Sequence, residues 1–165
     1  MKYSFTLSRI DNINLKKYGV ILKDYKIHIK NILNILLNMK EIKNSALFKK
    51  DISKIRFDVS FCNNETIKTI NRDYRNKDSV TDVITFSLFF DDENSIIYRK
   101  CADLGQILIS LEKCDEQKQK TFKNELLTLI THGILHLTGF DHLTKKDYDF
   151  VVNIQNTVLK ELGNE

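Results

Sequence analysis

The chain has 165 residues, of which 26 are Lys or Arg and 22 are Asp or Glu, so its formal net charge is +4 at pH 7. Hydrophobic residues make up 42% of the sequence, which is typical of a globular protein and unlike an intrinsically disordered one. No apolar run has the length of a membrane span, and residues 1–10 lack the apolar segment of a signal peptide. The three cysteines form no C-x-x-C pair, which argues against a thiolate metal centre and predicts reduced thiols in the cytoplasm.

Nothing in the sequence marks a boundary between domains. Proline is absent, and the chain contains neither a linker rich in Gly and Ser nor a segment repeated at a fixed period. We therefore expect a single domain that spans residues 1–165.

The first half of the chain shows both helical and strand periodicity. Residues 2–8 are a candidate strand, and apolar residues at helical spacing predict an amphipathic helix within 23–44. Residues 55–61 alternate between apolar and polar side chains, which is the two-residue period of a half-buried strand. Two asparagines at its end offer an N-cap for a short helix over 63–74.

The second half continues the mixture of strands and helices. Residues 82–89 and 104–111 predict two further strands, rich in branched and aromatic side chains. A long helical pattern covers about 116–137 and is stopped by Gly139, and a final amphipathic helix covers about 145–162. This order predicts an α+β fold, with one mixed sheet of about four strands packed with several helices.

Three of the four histidines lie within residues 131–142. His132 and His136 are four residues apart on the long predicted helix, so their imidazoles project from one face about one turn apart. Gly139 can take the left-handed conformation that ends a helix, which lets the chain turn back and bring His142 to the same point. The sequence therefore predicts a metal site at the end of the long helix.

Three protein ligands with a fourth position open to water are typical of catalytic zinc, whereas structural zinc is closed by four ligands that usually include cysteine. We therefore expect about one Zn²⁺ per chain. Three imidazoles also suit nickel, copper or cobalt, so the metal preference stays open. His28, the fourth histidine, is expected to have a structural role.

The spacing H-x-x-x-H-x-x-G-x-x-H is shared with the metzincin peptidases, whose motif has Glu directly after the first histidine as general base. Gly133 stands at that position here, and no acidic residue follows His132 before Asp141. A metallopeptidase or amidase is therefore disfavoured but stays open as an alternative. Asp141 is expected to accept a hydrogen bond from a ligand histidine or to form a turn, rather than to act as a base.

The histidine segment resembles the signature of the YbeY-type endoribonucleases, which are bacterial rRNA maturation factors. Residues 74–86 are similar to that family's segment Y-R-x-K-D-x-P-T-D-V-L-S-F-P, and residues 104–110 to its strand L-G-D-I-x-I-S. Val80 and Ser87 stand where the family usually has proline, and Gln106 where it usually has aspartate. The last difference puts in doubt any role that needs a negative charge on that strand.

The resemblance implies a zinc-dependent, single-strand-specific endoribonuclease in the cytoplasm. Its implied substrate is precursor rRNA at the 3' end of the small-subunit rRNA, and its implied partner in rRNA maturation and ribosome quality control is the small ribosomal subunit. Neither a membrane nor DNA is an expected partner. A non-catalytic RNA-binding or ribosome-binding factor with a structural metal stays open as a further alternative.

Matched residue by residue, the resemblance also assigns a catalytic role to Arg75. Its guanidinium is always charged and can form two parallel hydrogen bonds to one phosphate. Arg72 and Lys77 are nearby positive charges that could contact neighbouring phosphates.

Overall fold

The computed structural model describes residues 1–89, 97–98, 100–141 and 144–163, which form an α+β fold on one mixed sheet. The strands are β1 (Lys2–Arg9), β2 (Lys54–Cys62), β3 (Val83–Ser87), β4 (Ile97–Tyr98) and β5 (Cys101–Ser110). The helices are α1 (Leu22–Leu36), α2 (Lys40–Lys43), α3 (Ala46–Lys49), α4 (Asn64–Arg75), α5 (Leu111–Gln117), α6 (Phe122–Leu137) and α7 (Lys145–Glu161), with a 3-10 turn at Leu15–Tyr18. The predicted fold class is confirmed, since four of these strands are long enough to form the predicted sheet.

The strand order in the sheet is β1-β2-β5-β3. Strands β1, β2 and β5 run parallel, whereas β3 and the short β4 pair with β5 in the antiparallel direction. The predicted alternation in β2 is present, because Ile55, Phe57 and Val59 are fully buried while Arg56 and Asp58 are exposed. Because β3 pairs only with β5 among the described strands, it is an edge strand of the sheet.

Successive residues of β5 serve opposite faces of the sheet. Ile107 belongs to the main hydrophobic core, which also contains the buried side chains of α1, α6 and α7. Leu108 belongs to a smaller cluster on the other face, where Ile67 of α4 packs against Cys62 and Ile84. Helices α6 and α4 therefore cover opposite faces of the same sheet.

Two predicted helices are divided in the structure. The helical pattern over 23–44 breaks after α1, where Met39 is extended and the Asn38 side chain donates a hydrogen bond to the Asn34 carbonyl oxygen at 2.8 Å. Such side-chain bonds to the backbone compete with helix continuation. The pattern over 116–137 contains the end of α5 and all of α6, with a non-helical segment at 118–121 between them. Thr121 caps α6 by accepting a hydrogen bond from the Asn124 amide.

All three cysteines are free thiols. Burial raises the pKa of Cys62 to about 12 and also raises the pKa of Cys114, so neither thiol is ionised at neutral pH. Within the described residues, no helix is both long and apolar enough to cross a membrane.

Candidate metal centre

The candidate site begins at the C-terminal end of α6. Gly139 has φ of 90°, and its amide donates to the His136 carbonyl oxygen at 3.0 Å. The amide of Phe140 donates to the Leu135 carbonyl oxygen, also at 3.0 Å. These bonds satisfy carbonyl groups at the end of the helix and turn the chain back, which is the helix end predicted from Gly139.

His132 and His136 meet on one face of this helix. Their Nε2 atoms are 2.9 Å apart, and their ring centroids are 4.4 Å apart. Two nitrogens bound to one tetrahedral zinc at ordinary bond lengths are about 3.3–3.4 Å apart. If the distance between the two Nε2 atoms increases by roughly 0.5 Å, both nitrogens can bind one zinc ion. The two histidines therefore fit the predicted zinc site.

His142, the third predicted ligand, lies outside the described residues, and its place in the site stays a prediction. Its neighbour Asp141 lies beside the histidine pair, with Asp141 Oδ1 3.8 Å from His136 Nδ1. That distance is too long for a hydrogen bond. Without His142, the described residues contain no group of three or more His, Cys, Asp or Glu that could hold a metal.

Gln155 of α7 contacts the other side of the His132 ring. Its side-chain Nε2 lies 3.0 Å from His132 Nδ1, and the residue is only 7% exposed. Sequence reasoning missed this contact, because the two residues are 23 positions apart and belong to different helices. A buried Gln on the apolar face of the last predicted helix was the available signal.

A cavity of about 230 Å³ lies beside His132, between α6, α7 and the start of β3. It contains two carboxylates that share one donor: Gln117 Nε2 lies 2.8 Å from Asp82 Oδ2 and 2.8 Å from Glu125 Oε1. Sequence reasoning did not assign these side chains to the site, although Asp82 lies within the family-like segment 74–86. The residues that line the cavity are Asp82, Val83, Gln117, Glu125, Thr128, Leu129, His132, Tyr148, Val151, Val152 and Gln155.

Gly133 faces the sheet rather than the cavity. A Cβ atom at this position would lie 2.7 Å from Cγ2 of Ile107 and 3.0 Å from its Cδ1. The position that holds the general base of metzincins is therefore filled by the packing of α6 on β5. No carboxylate side chain fits there without moving the helix.

Arg75 lies in the last turn of α4, on the far side of the sheet from α6, and is exposed. No hydrogen bond or ion pair joins its guanidinium to another described residue, so the group is accessible to a ligand. The chain then passes Ser79, whose carbonyl oxygen accepts a hydrogen bond from Asn71 at 2.9 Å, and reaches Asp82 in the cavity. Arg75 and the histidines are thus connected around the β3 edge, without a direct contact between them.

Gln106 lies on the face opposite to α6, because its neighbour Ile107 is the residue that packs against Gly133. Its amide donates a hydrogen bond to Ser60 Oγ at 3.3 Å. Gln106 therefore lies on the opposite face of the sheet from the helix that carries the described histidine pair.

The chain matches the family model described as Endoribonuclease YbeY over residues 11–163. It is 38% identical over 142 residues to the Endoribonuclease YbeY of Ureaplasma urealyticum, which covers 82% of this chain and 88% of that protein. It is 34% identical over 147 residues to the protein of the same name from Bacillus cereus, which covers 86% of this chain and 88% of that protein.

Among solved structures, the chain is similar to the solution structure of TM1509 from Thermotoga maritima. The TM-score is 0.51 and the sequence identity 24%, and the match covers 96% of this chain and 91% of that one. This likeness shows that the two proteins share a fold.

Proposed function

The chain belongs to the endoribonuclease YbeY family, and from this premise we propose that it is a metal-dependent endoribonuclease that cleaves single-stranded RNA. The observation that carries the proposal is the pair of Nε2 atoms at 2.9 Å on His132 and His136, within the segment that resembles the family signature. Two nitrogens this close can bind one metal ion, and with His142 they would supply the three protein ligands that are typical of catalytic zinc.

We propose His132, His136 and His142 as the ligands of one zinc ion. When bound, zinc supplies a Lewis acid and makes water a nucleophile at neutral pH, so a side-chain base next to His132 is not required. Gly133 agrees with this, because its packing against Ile107 leaves no space for such a base.

The proposed role of Arg75 is to bind the phosphate at the scissile bond. Its exposed guanidinium can donate two hydrogen bonds to phosphate oxygens and offset the negative charge that develops on them. Arg72 differs, because its Nε already donates to Asp73 Oδ1 at 2.9 Å. A phosphate contact by Arg72 would therefore compete with that bond.

The proposed substrate is precursor rRNA, at the 3' end of the small-subunit rRNA, and the proposed partner is the small ribosomal subunit in the cytoplasm. The family resemblance supports these assignments, and the net charge of +4 is compatible with an anionic partner. The packing of Gly133 disfavours the alternative of a metallopeptidase. The cleavage assay distinguishes the proposed nuclease from the alternative of a non-catalytic binding factor with a structural metal.

The test is a single-turnover assay of purified, metal-quantified protein on an rRNA fragment with a single-stranded 3' end, on an RNA duplex and on peptides. We expect cleavage of the single-stranded segment, and loss of cleavage in His132→Ala and His136→Ala. Peptide cleavage without RNA cleavage would reverse the assignment. RNA binding without cleavage by the zinc-loaded protein would favour the binding factor.

The same assay at fixed salt tests Arg75 by separating charge from shape. Arg75→Ala is expected to cleave about 10²–10³-fold more slowly, as on removal of one preorganised donor to the transition state. Arg75→Lys should recover part of the rate, because it keeps the charge but loses the planar pair of donors. Lys68→Ala, which removes a positive charge from the same helix, is the control for weakened nonspecific RNA binding. Wild-type rates in Arg75→Ala would remove Arg75 from the site.

A further inference from the structure

We propose that Gln155 is a positioning residue that determines which ring nitrogen of His132 carries the proton, and so makes its Nε2 available to a metal. This inference rests on the proposed metal site and adds a residue that the histidine motif does not contain. It starts from the 3.0 Å contact between the Gln155 amide and His132 Nδ1, inside the packed junction of α6 and α7.

A neutral imidazole has one nitrogen that donates and one that accepts. Since His132 Nε2 faces His136 Nε2, Nε2 is the nitrogen that points towards the metal position. It can bind a metal only without a proton, so the proton must then lie on Nδ1. Nδ1–H in turn needs an acceptor, which the Gln155 amide can supply through its oxygen, although the atom that lies 3.0 Å from Nδ1 is the amide nitrogen Nε2.

The amide can meet two different requirements, because a half-turn of its end group exchanges oxygen for nitrogen. With Oε1 towards the ring, Gln155 accepts from Nδ1–H, and His132 Nε2 is ready to bind a metal. With Nε2 towards the ring, which is the orientation in the structure, Gln155 donates to Nδ1, and His132 Nε2–H donates to His136 Nε2 across 2.9 Å. The second arrangement is a continuous chain of hydrogen bonds that needs no ion.

Burial makes the contact specific. Gln155 is 7% exposed, and its neighbours one turn away on α7, Val151 and Leu159, are buried apolar residues. Removal of the amide takes away the acceptor that lies within hydrogen-bond reach of Nδ1, and water from the adjacent cavity is a less well-positioned replacement for it. A carboxylate can serve the metal-binding arrangement alone, since it accepts but does not donate when ionised.

These differences predict an ordered series of metal affinities. Gln155→Met keeps the length of the side chain but offers no acceptor, and we expect it to weaken Zn²⁺ binding about 10–100-fold, as is typical when the partner of a ligand histidine is lost. Gln155→Glu restores the acceptor and should bind Zn²⁺ at least as tightly as the wild type. The measurement is competition with a chromophoric chelator, which is independent of nuclease activity.

Two controls separate positioning from general destabilisation. Thr131→Val removes a buried hydrogen bond within α6, from the Thr131 hydroxyl to the Leu127 carbonyl oxygen at 2.8 Å, without touching the His132 ring. Asn156→Met changes the exposed neighbour of Gln155 on α7. Both variants should bind Zn²⁺ like the wild type, and thermal unfolding shows whether any of the variants loses its fold.

Long-range ¹H–¹⁵N NMR of the His132 side chain provides the second readout. We expect the proton on Nδ1 in zinc-loaded wild-type protein, on Nε2 after zinc is removed, and on Nδ1 in both samples of Gln155→Glu. Wild-type zinc affinity in Gln155→Met, with an unchanged tautomer, would overturn the inference. If His132→Ala and His136→Ala also keep their zinc, the proposed metal site itself is wrong; if they lose it, only the role of Gln155 is.

Discussion

Replacing Gly133 with alanine inserts a Cβ atom into the contact between α6 and β5. In the observed backbone this atom would lie 2.7 Å from Cγ2, 3.0 Å from Cδ1 and 3.1 Å from Cγ1 of Ile107. Ile107 is completely buried, and a β-branched side chain has little rotamer freedom with which to move away. The new methyl group must therefore push the helix away from the sheet.

Two opposing terms set the magnitude. Overpacking of this kind costs about 1–3 kcal/mol, whereas alanine in place of glycine within a helix contributes about 1 kcal/mol. The expected net loss of unfolding free energy is therefore about 0–2 kcal/mol. Because His132 is the adjacent residue, we also expect weaker zinc binding than in the wild type.

A second substitution reveals the sign of the steric term. Ile107→Ala alone should cost about 2–5 kcal/mol because it leaves a cavity. In that background, however, the methyl group of Gly133→Ala enters free space, so the same change should now stabilise the protein by up to about 1 kcal/mol. Urea unfolding of the wild type, the two single variants and the double variant, with zinc in excess, measures this double-mutant cycle.

The steric reasoning is refuted if Gly133→Ala stabilises the wild type, or if its effect is equal in the two backgrounds. Gly133→Glu extends the test to the peptidase alternative. It forces a carboxylate against a buried isoleucine, and we expect a loss of about 4 kcal/mol or more, together with loss of zinc. A folded Gly133→Glu protein with peptidase activity would contradict both the packing argument and the proposed function.

Three further predictions concern the metal, the sheet and pH. The purified protein should contain about one zinc per chain by elemental analysis, and unchanged zinc in both His132→Ala and His136→Ala would contradict the site. Gly105→Ala should destabilise the protein by more than about 3 kcal/mol in urea unfolding, because φ is 115° and a Cβ would lie 1.9 Å from the Phe86 carbonyl oxygen. Gly19→Ala is the control: φ is 65° and a Cβ would meet no atom within 4 Å, so it should cost only about 1–2 kcal/mol. Burial, assisted by the positive charge of Lys123, lowers the pKa of His28 below its ordinary 6.5, so its contribution to stability is complete above pH 6.5 and is lost as pH falls through the folded-state pKa. An NMR titration midpoint at or above 6.5 would contradict this, and His28→Gln should remove that part of the pH dependence.

The parts of the fold that the sequence predicted are those with a local signal. Apolar and polar residues alternate along β2 because one side of the strand is buried and the other is exposed. The end of α6 follows from Gly139. The break after Leu36 was not predictable from the apolar stripe, because it depends on a hydrogen bond that the Asn38 side chain makes with the backbone of α1. The division before α6 likewise depends on the capping contact of Thr121.

The same distinction holds within the site. His132 and His136 are neighbours because a helix brings residues four apart together, so their spacing was sufficient. Gln155 reaches His132 only because α7 packs against α6, and that packing follows from apolar contacts distributed over both helices. A contact of this kind has no sequence period, and only the folded chain shows it.

The proposed site combines two segments that lie on opposite faces of the sheet, on either side of the edge strand β3. Arg75 ends a helix that packs on the face of Leu108, whereas the histidines belong to a helix that packs on the face of Ile107. A substrate that contacts both faces must pass an edge of the sheet. The segment after Arg75 does this and delivers Asp82 to the cavity beside His132. An RNA strand that follows the β3 edge could therefore meet the guanidinium and the histidine pair in succession, whereas a further strand paired with β3 would separate them.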